Sequence, residues 1–254
     1  MDLGLKGKKV IMNGGAHGLG LASLKLFAAE GADVAFFSRK DDKIEAAKAD
    51  IDAAGPGKVF GEVFDMNDGA DAYKAWLEKA AGELGGCDIF IHTASSSGTG
   101  GTGDWQNALD FDIMGAVNGV EVLTPHLANS DSGSIVFMSS TAALETFIAP
   151  QAFNALKAAL ITYGSQLSQA LAPQGIRVNS VSPGAIYYPG GNWEVIESAM
   201  PELFQGTLAK MPMGRFGNDT EVANAIVFVA SPAVPYMTGA NVVIDGGFTQ
   251  RVQF

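Results

Sequence analysis

Short apolar runs rich in β-branched and aromatic residues alternate with longer stretches of helical period almost to the end of the chain. The runs at 9–13, 33–38, 59–64, 88–93, 134–139, 177–181 and 241–244 have strand length and strand composition. Between them, 19–30, 41–53, 69–84, 105–127, 151–172 and 220–230 read as helices. Such alternation predicts an α/β fold, a doubly wound sheet of parallel strands with right-handed helical crossovers. No repeat or linker interrupts it, so 1–254 is expected to be one domain. Residues 185–217, rich in Gly, Pro, Trp, Tyr and Met, are expected to be a substrate lid, because a long irregular stretch inside a compact domain is usually a binding loop.

Composition narrows the function. Hydrophobic residues are 47% of the 254 and charged residues 17%, enough for a sizeable core. The net charge of -11 and the absence of a basic cluster argue against a nucleic-acid partner. One cysteine, Cys87, excludes an internal disulfide framework and suits a reducing compartment. The histidines at 17, 92 and 126 fall in unrelated segments, so no metal site is expected. With neither a leader pattern nor a membrane-length apolar run, a cytoplasmic protein without a membrane partner is the expectation.

The first candidate chemistry follows the first strand, in Asn13-Gly14-Gly15-Ala16-His17-Gly18-Leu19-Gly20. Gly14 suits a sharp turn, Gly18 lets backbone approach a pyrophosphate, and Gly20 lets helix and strand pack closely. The helix start at Leu19 then offers free N–H groups to phosphates. At the end of the second strand an acidic residue would grip a ribose 2′-hydroxyl; Ser38 and Arg39 stand there instead. Donors and positive charge favour NADP(H), with NAD(H) as the lesser option, and His17 could add a contact to the 2′-phosphate. Asp65 and Met66, ending the third strand, suit an adenine clamp or a plain helix cap.

A second candidate lies at the end of the fifth run, where Ser140 precedes Phe153-Asn154-Ala155-Leu156-Lys157. A serine at a strand end, facing a helix with a lysine four residues beyond an aromatic, is a layout for polarising a carbonyl. A tyrosine at 153 would give and take a proton; Phe153 does neither.

These marks together resemble the short-chain dehydrogenase/reductase family over essentially the whole chain. The matching features are the Gly14/Gly18/Gly20 turn, Asp65, Ser140, the aromatic-x-x-x-Lys at 153–157, Asn179, Pro183-Gly184 and the tail Gly239…Asp245-Gly246-Gly247. The resemblance implies a Rossmann-type seven-stranded parallel sheet, hydride transfer with a nicotinamide cofactor, and a homotetramer or homodimer. It assigns substrate positioning to Ser140 and ribose contact to Lys157. It places Thr93, Ala94, Pro183, Gly184 and Ile186 along the cofactor. The family's general acid/base, a tyrosine, corresponds to Phe153, and its relay asparagine to Asp112. The family's Asn-Asn-Ala-Gly reads His92-Thr93-Ala94-Ser95, and Tyr187 stands where a threonine is common. The cofactor side is kept and the proton-handling side is altered.

Three explanations of Phe153 stay open. It is a Tyr→Phe change made to trap substrate; it is natural, and Tyr187, Tyr188, His92 or Asp112 supplies the proton; or the chain is a catalytically silent dinucleotide-binding protein or sensor. Tyr187, Tyr188, Trp193, Met200, Phe204, Met211 and Met213, with Phe147 and Ile148 near the active-site helix, suggest an apolar or aromatic ketone or secondary alcohol as substrate.

Overall fold

The computed structural model of the chain describes residues 1–99, 103–146 and 149–252; Phe147 and Ile148 lie outside these. Seven strands form close to the predicted places: β1 (Lys9–Gly15), β2 (Asp33–Ser38), β3 (Val59–Val63), β4 (Ile89–His92), β5 (Ser134–Met138), β6 (Arg177–Pro183) and β7 (Asn241–Ile244). They make one sheet in the order β3-β2-β1-β4-β5-β6-β7, every neighbouring pair parallel. β5 and β6 are buried at every position, which is why they read as continuous apolar runs rather than alternating ones.

Helices cover both faces, as parallel crossovers require. On one side α1 (Gly18–Ala29), α2 (Asp41–Asp52) and α9 (Asp219–Ala230) bring Leu24, Phe27, Ile44, Ile51, Val222 and Ile226 against Val10 and Met12. On the other, α3 (Ala70–Leu84), α5 (Gly115–Ala128) and α6 (Ala152–Leu171) bring Tyr73, Trp76, Leu123 and Leu160 against Ile11, Phe90 and Phe137. Successive residues of β1 enter opposite layers, the period of two expected of a strand. Each fully buried large side chain contributes about 1.5–3 kcal/mol.

The buried guanidinium of Arg177 ties β6 to the end of α9. It donates to the carbonyls of Val229, Ala230, Ser231 and Met237 at 2.9–3.2 Å and to Ser134 Oγ at 3.2 Å. A cation at a helix C-terminus meets the unpaired carbonyls and the negative end of the helix dipole.

Two segments differ from the expected pattern. Residues 105–127 are not one helix. The short α4 (Trp105–Ala108) runs into a π-helical turn, Leu109–Met114, before α5 begins. The turn buries Phe111 and Asp112 and leaves Asp110 at the surface. Residues 185–217 are not irregular throughout, because they contain α7 (Asn192–Ala199) and α8 (Pro201–Leu208). Pro201 stands at the first helical position of α8, where its fixed φ suits a helix start. No helix among the described residues is long and apolar enough to cross a membrane.

Candidate active site

The chain leaves β1 toward β2 and leaves β4 toward β5, on opposite sides. The carboxyl ends of β1 and β4 therefore border the crevice where open α/β sheets hold their ligands. Asn13 and His92 are register partners at that point and both are fully buried. Asn13 Oδ1 accepts the N–H groups of Thr93 (2.7 Å) and Ala94 (3.0 Å), and its amide nitrogen reaches Tyr73 Oη (2.9 Å) and His92 Nδ1 (2.6 Å). His92 Nε2 lies 3.2 Å from the Asp112 carbonyl oxygen. With Nδ1 accepting from an amide and Nε2 facing a carbonyl, the ring carries its single proton on Nε2. Burial, with the charge of Lys157 behind it, pushes the imidazole pKa down to about 3. His92 thus fixes β4 to the π-turn as a neutral group.

The glycine turn joins β1 to α1 beside this crevice. A Cβ at Gly20 would stand 2.9 Å from the Gly15 backbone, so strand and helix approach as closely as the sequence implies. Gly18 has φ +53°, and a Cβ there would stand 2.5 Å from the ring of Tyr188. Leu19 packs on the core below the turn. His17 keeps surface toward solvent; burial of part of the ring and the charges of Lys43 and Arg39 lower its pKa. Arg39 and Lys43, which follow β2 in the chain, are thus the charges felt at His17. Asp65 caps the turn Met66–Asp68, Oδ1 accepting from Asn67 N at 3.0 Å. The Met66 side chain reaches Gly115 at the start of α5.

The candidate reacting groups lie just beyond β5 and on α6. Ser140 is extended and caps the turn after β5, its Oγ accepting the Ala142 N–H at 3.1 Å; among the described residues its own hydroxyl proton meets no acceptor. Two bonds fasten α6 to the strand end: Ser139 Oγ donates to the Lys157 carbonyl at 2.9 Å, and Lys157 Nζ donates to the Met138 carbonyl at 2.7 Å. One turn before Lys157, the Phe153 ring lies 5.7 Å from Nζ. Asp112 Oδ1 lies 3.0 Å from Nζ, an ion pair set off the ideal hydrogen-bond direction, with both side chains buried. Asp112 Oδ2 accepts from Ser96 N (3.1 Å) and Ser96 Oγ (2.5 Å). Burial works to raise the Asp112 pKa, but the Lys157 charge and hydrogen bonds from Ser96 and Ser95 outweigh it, and the group stays ionised.

Beyond β6, Gly184 runs so close to β7 that a Cβ would stand 2.7 Å from Asp245 Cβ, which holds Pro183-Gly184 at the sheet edge. Ile186 bridges to Gly217. Tyr187 donates its hydroxyl to Glu197 at 2.6 Å, and that bond raises its pKa. Trp193, Phe204 and Met211 are buried against one another, with Tyr187, Phe216 and Phe248 packed around them. Much of the expected aromatic substrate wall is thus internal packing of α7 and α8. A cavity of about 370 Å³ beginning at Thr141, the residue after Ser140, has a mixed lining, with Thr146, Thr207, Thr249 and Lys210 alongside Leu203 and Phe248. Glu145 accepts the Gln250 and Arg251 N–H groups and so clips the chain end beside it.

The structure gathers Ser140, Phe153, Lys157 and Asp112 at one end of the sheet and lines the crevice with the glycine turn, Thr93 and Ala94. It places Tyr188 on the glycine turn. Asn13, Tyr73, Ser96 and Lys43 escaped sequence reading. For Asn13 a signal existed, a polar residue closing an otherwise apolar strand; for the others nothing marked them.

A family profile described as enoyl-(acyl carrier protein) reductase, of the short-chain alcohol dehydrogenase type, matches residues 14–249. The isoepoxydon dehydrogenase of Penicillium expansum is 35% identical over 258 residues, covering 100% of this chain and 99% of that protein. Among solved structures, L-sorbose reductase from Gluconobacter frateurii complexed with NADPH and L-sorbose superposes with a TM-score of 0.87 at 26% identity, covering 99% and 100% of the two chains. An NADPH-bound short-chain oxidoreductase from Pseudomonas aeruginosa, described as containing an atypical catalytic center, superposes with a TM-score of 0.83 at 26% identity, covering 96% and 98%.

Proposed function

Because the chain belongs to the short-chain dehydrogenase/reductase family and is an oxidoreductase by that membership, we propose that it transfers a hydride between NADP(H) and a small oxygenated ketone or secondary alcohol. The observation that carries this reading is the fastening of α6 to β5, which sets the Ser140 hydroxyl and the Lys157 ammonium at one mouth of the sheet. When bound, the nicotinamide supplies the hydride. Ser140 directs a hydrogen bond from its hydroxyl at the substrate oxygen and orients it, and the alkoxide left by hydride transfer would take its proton from solvent, since Phe153 has none. Lys157, held by the Met138 carbonyl and paired with Asp112, stands at the same end of the sheet, where the family resemblance gives it the nicotinamide ribose.

The cofactor choice rests on charge. Arg39 and Lys43, whose charges are felt at His17, suit a 2′-phosphate, and the glycine turn leaves the N-terminus of α1 open to phosphates. The substrate reading rests on the cavity beside Ser140. Its threonine hydroxyls, set beside Leu203 and Phe248, suit an oxygenated compound that also carries apolar surface, and relatives named for isoepoxydon and L-sorbose support this. Trp105, Leu109 and Met114, exposed on one short stretch, support self-association into a dimer or tetramer.

Phe153 favours a second reading, a silent dinucleotide-binding protein, since it offers no proton. Nicotinamide-fluorescence titration combined with NADPH oxidation over a panel of hydroxylated cyclic ketones and ketoses separates the two. Turnover by the parent chain, or by any variant with a phenol restored at 153, supports the enzyme. Tight NADPH binding without turnover in all of them would establish the silent binder.

A further inference from the structure

Among the described residues the buried ionised groups are Asp112, Lys157 and Arg177. Arg177 is satisfied by carbonyls and a hydroxyl at the far end of the sheet. Lys157 and Asp112 face each other at 3.0 Å with side chains 2% and 0% exposed. An ammonium so buried is costly unless an anion accompanies it, and breaking such a pair strands the other charge. The groups facing Nζ are the Met138 carbonyl, the Phe153 ring, Asp112 and, close by, neutral His92. A phenol at 153 could supply the negative charge by ionising; a phenyl ring offers only its quadrupole.

The carboxylate is held for this task from behind. Ser96 binds Oδ2 through both its N–H and its hydroxyl, which turns Oδ1 toward Lys157. The π-helical turn buries Asp112 while its neighbour Asp110 stays exposed. Interruptions of this kind commonly mark functional positions.

We propose that Asp112 is a positioning residue that keeps Lys157 in the site as an ammonium ion, supplying the negative charge that Phe153 cannot, so that positions 112 and 153 are matched in charge. The inference rests on the assignment of Lys157 to the hydride-transfer site and does not depend on turnover. On this view a tyrosine placed at 153 meets a lysine whose charge is already balanced. Its phenol keeps an ordinary pKa until the carboxylate at 112 is removed as well.

The test is an ultraviolet difference titration of the new phenol in Phe153→Tyr and in Phe153→Tyr/Asp112→Asn, each against its own phenylalanine parent. The midpoint is expected to lie lower in the double variant by about one pH unit or more. Equal midpoints, or a lower one in Phe153→Tyr alone, would overturn the proposal. Should Asp112→Asn not fold, carboxyl carbon NMR of the unaltered chain decides. Asp112 is expected to titrate below an ordinary aspartate, because of the Lys157 charge and the Ser96 hydrogen bonds, and titration above the ordinary range would overturn the proposal. If the phenol midpoint shifts as expected while no variant turns over a ketone, the charge pairing stands and the oxidoreductase reading fails. If turnover appears without the shift, the reverse holds.

Discussion

The ring of Tyr188 rests on the backbone of Gly18: a Cβ at position 18 would stand 2.5 Å from Tyr188 Cε2 and 2.8 Å from Cζ. The same glycine has φ +53° and opens α1, whose free N–H groups point into the proposed phosphate site. Gly18→Ala adds both a left-handed strain of roughly 1 kcal/mol and a collision with the tyrosine. It is expected to weaken NADPH binding about tenfold or more, measured by nicotinamide fluorescence. Tyr188→Ala in the same chain removes the collision, so the double variant is expected to recover part of the loss. Strict additivity of the two changes would show that the contact has no influence on binding.

Arg39 tests the cofactor assignment. Charge-assisted hydrogen bonds to a phosphate are worth roughly 1.5–3 kcal/mol, so Arg39→Ser is expected to raise the NADPH Kd by about ten- to a hundredfold. The NADH Kd is expected to stay unchanged, and salt should weaken NADPH binding more than NADH binding. Tighter binding of NADH than NADPH by the unaltered chain would overturn the assignment.

Arg177 tests the frame that carries the site. Its guanidinium serves four carbonyls and a hydroxyl from one rigid plane, which the compact ammonium of lysine cannot match. Arg177→Lys is expected to lower stability by about 2–4 kcal/mol in urea unfolding, and Arg177→Met by at least as much, since buried carbonyls lose their donors. A loss within 0.5 kcal/mol, roughly that of a surface change, would mean that the end of α9 is held by something else.

His92 predicts a pH dependence. Its folded pKa of about 3 lies below the ordinary 6.5. Below the ordinary value the unfolded chain therefore binds a proton that the folded chain refuses. The stability contributed by the neutral ring is complete above 6.5 and is lost as pH falls from there toward about 3. Urea midpoints are expected to drop between about pH 7 and pH 4. His92→Asn should be less stable at neutral pH but flatter across that window, and an equally steep slope in the variant would reject His92 as the source.

Much of this site can be read along the chain. The glycine turn lies within eight residues, and Ser140 precedes Lys157 by 17, so strand end and helix carry both without distant help. Asn13 acts on Thr93 and Ala94 from 80 residues away, and Asp112 meets Lys157 only after a helix changes its winding. The aromatic residues of 185–217 show where composition stops short. Their composition suggests a substrate wall, yet composition cannot tell a ring that faces a ligand from one that faces another ring.

Local pattern alone determined the seven parallel strands, the glycine turn after β1 and the absence of a hydroxyl at 153, because each depends on residue type and near spacing. Tertiary structure alone decided that His92 is neutral, that Tyr188 lies on the glycine turn, and that a buried carboxylate stands beside Lys157. Those properties depend on which distant groups share a low-dielectric space, and interactions between charges are set by distance and burial rather than by order along the chain.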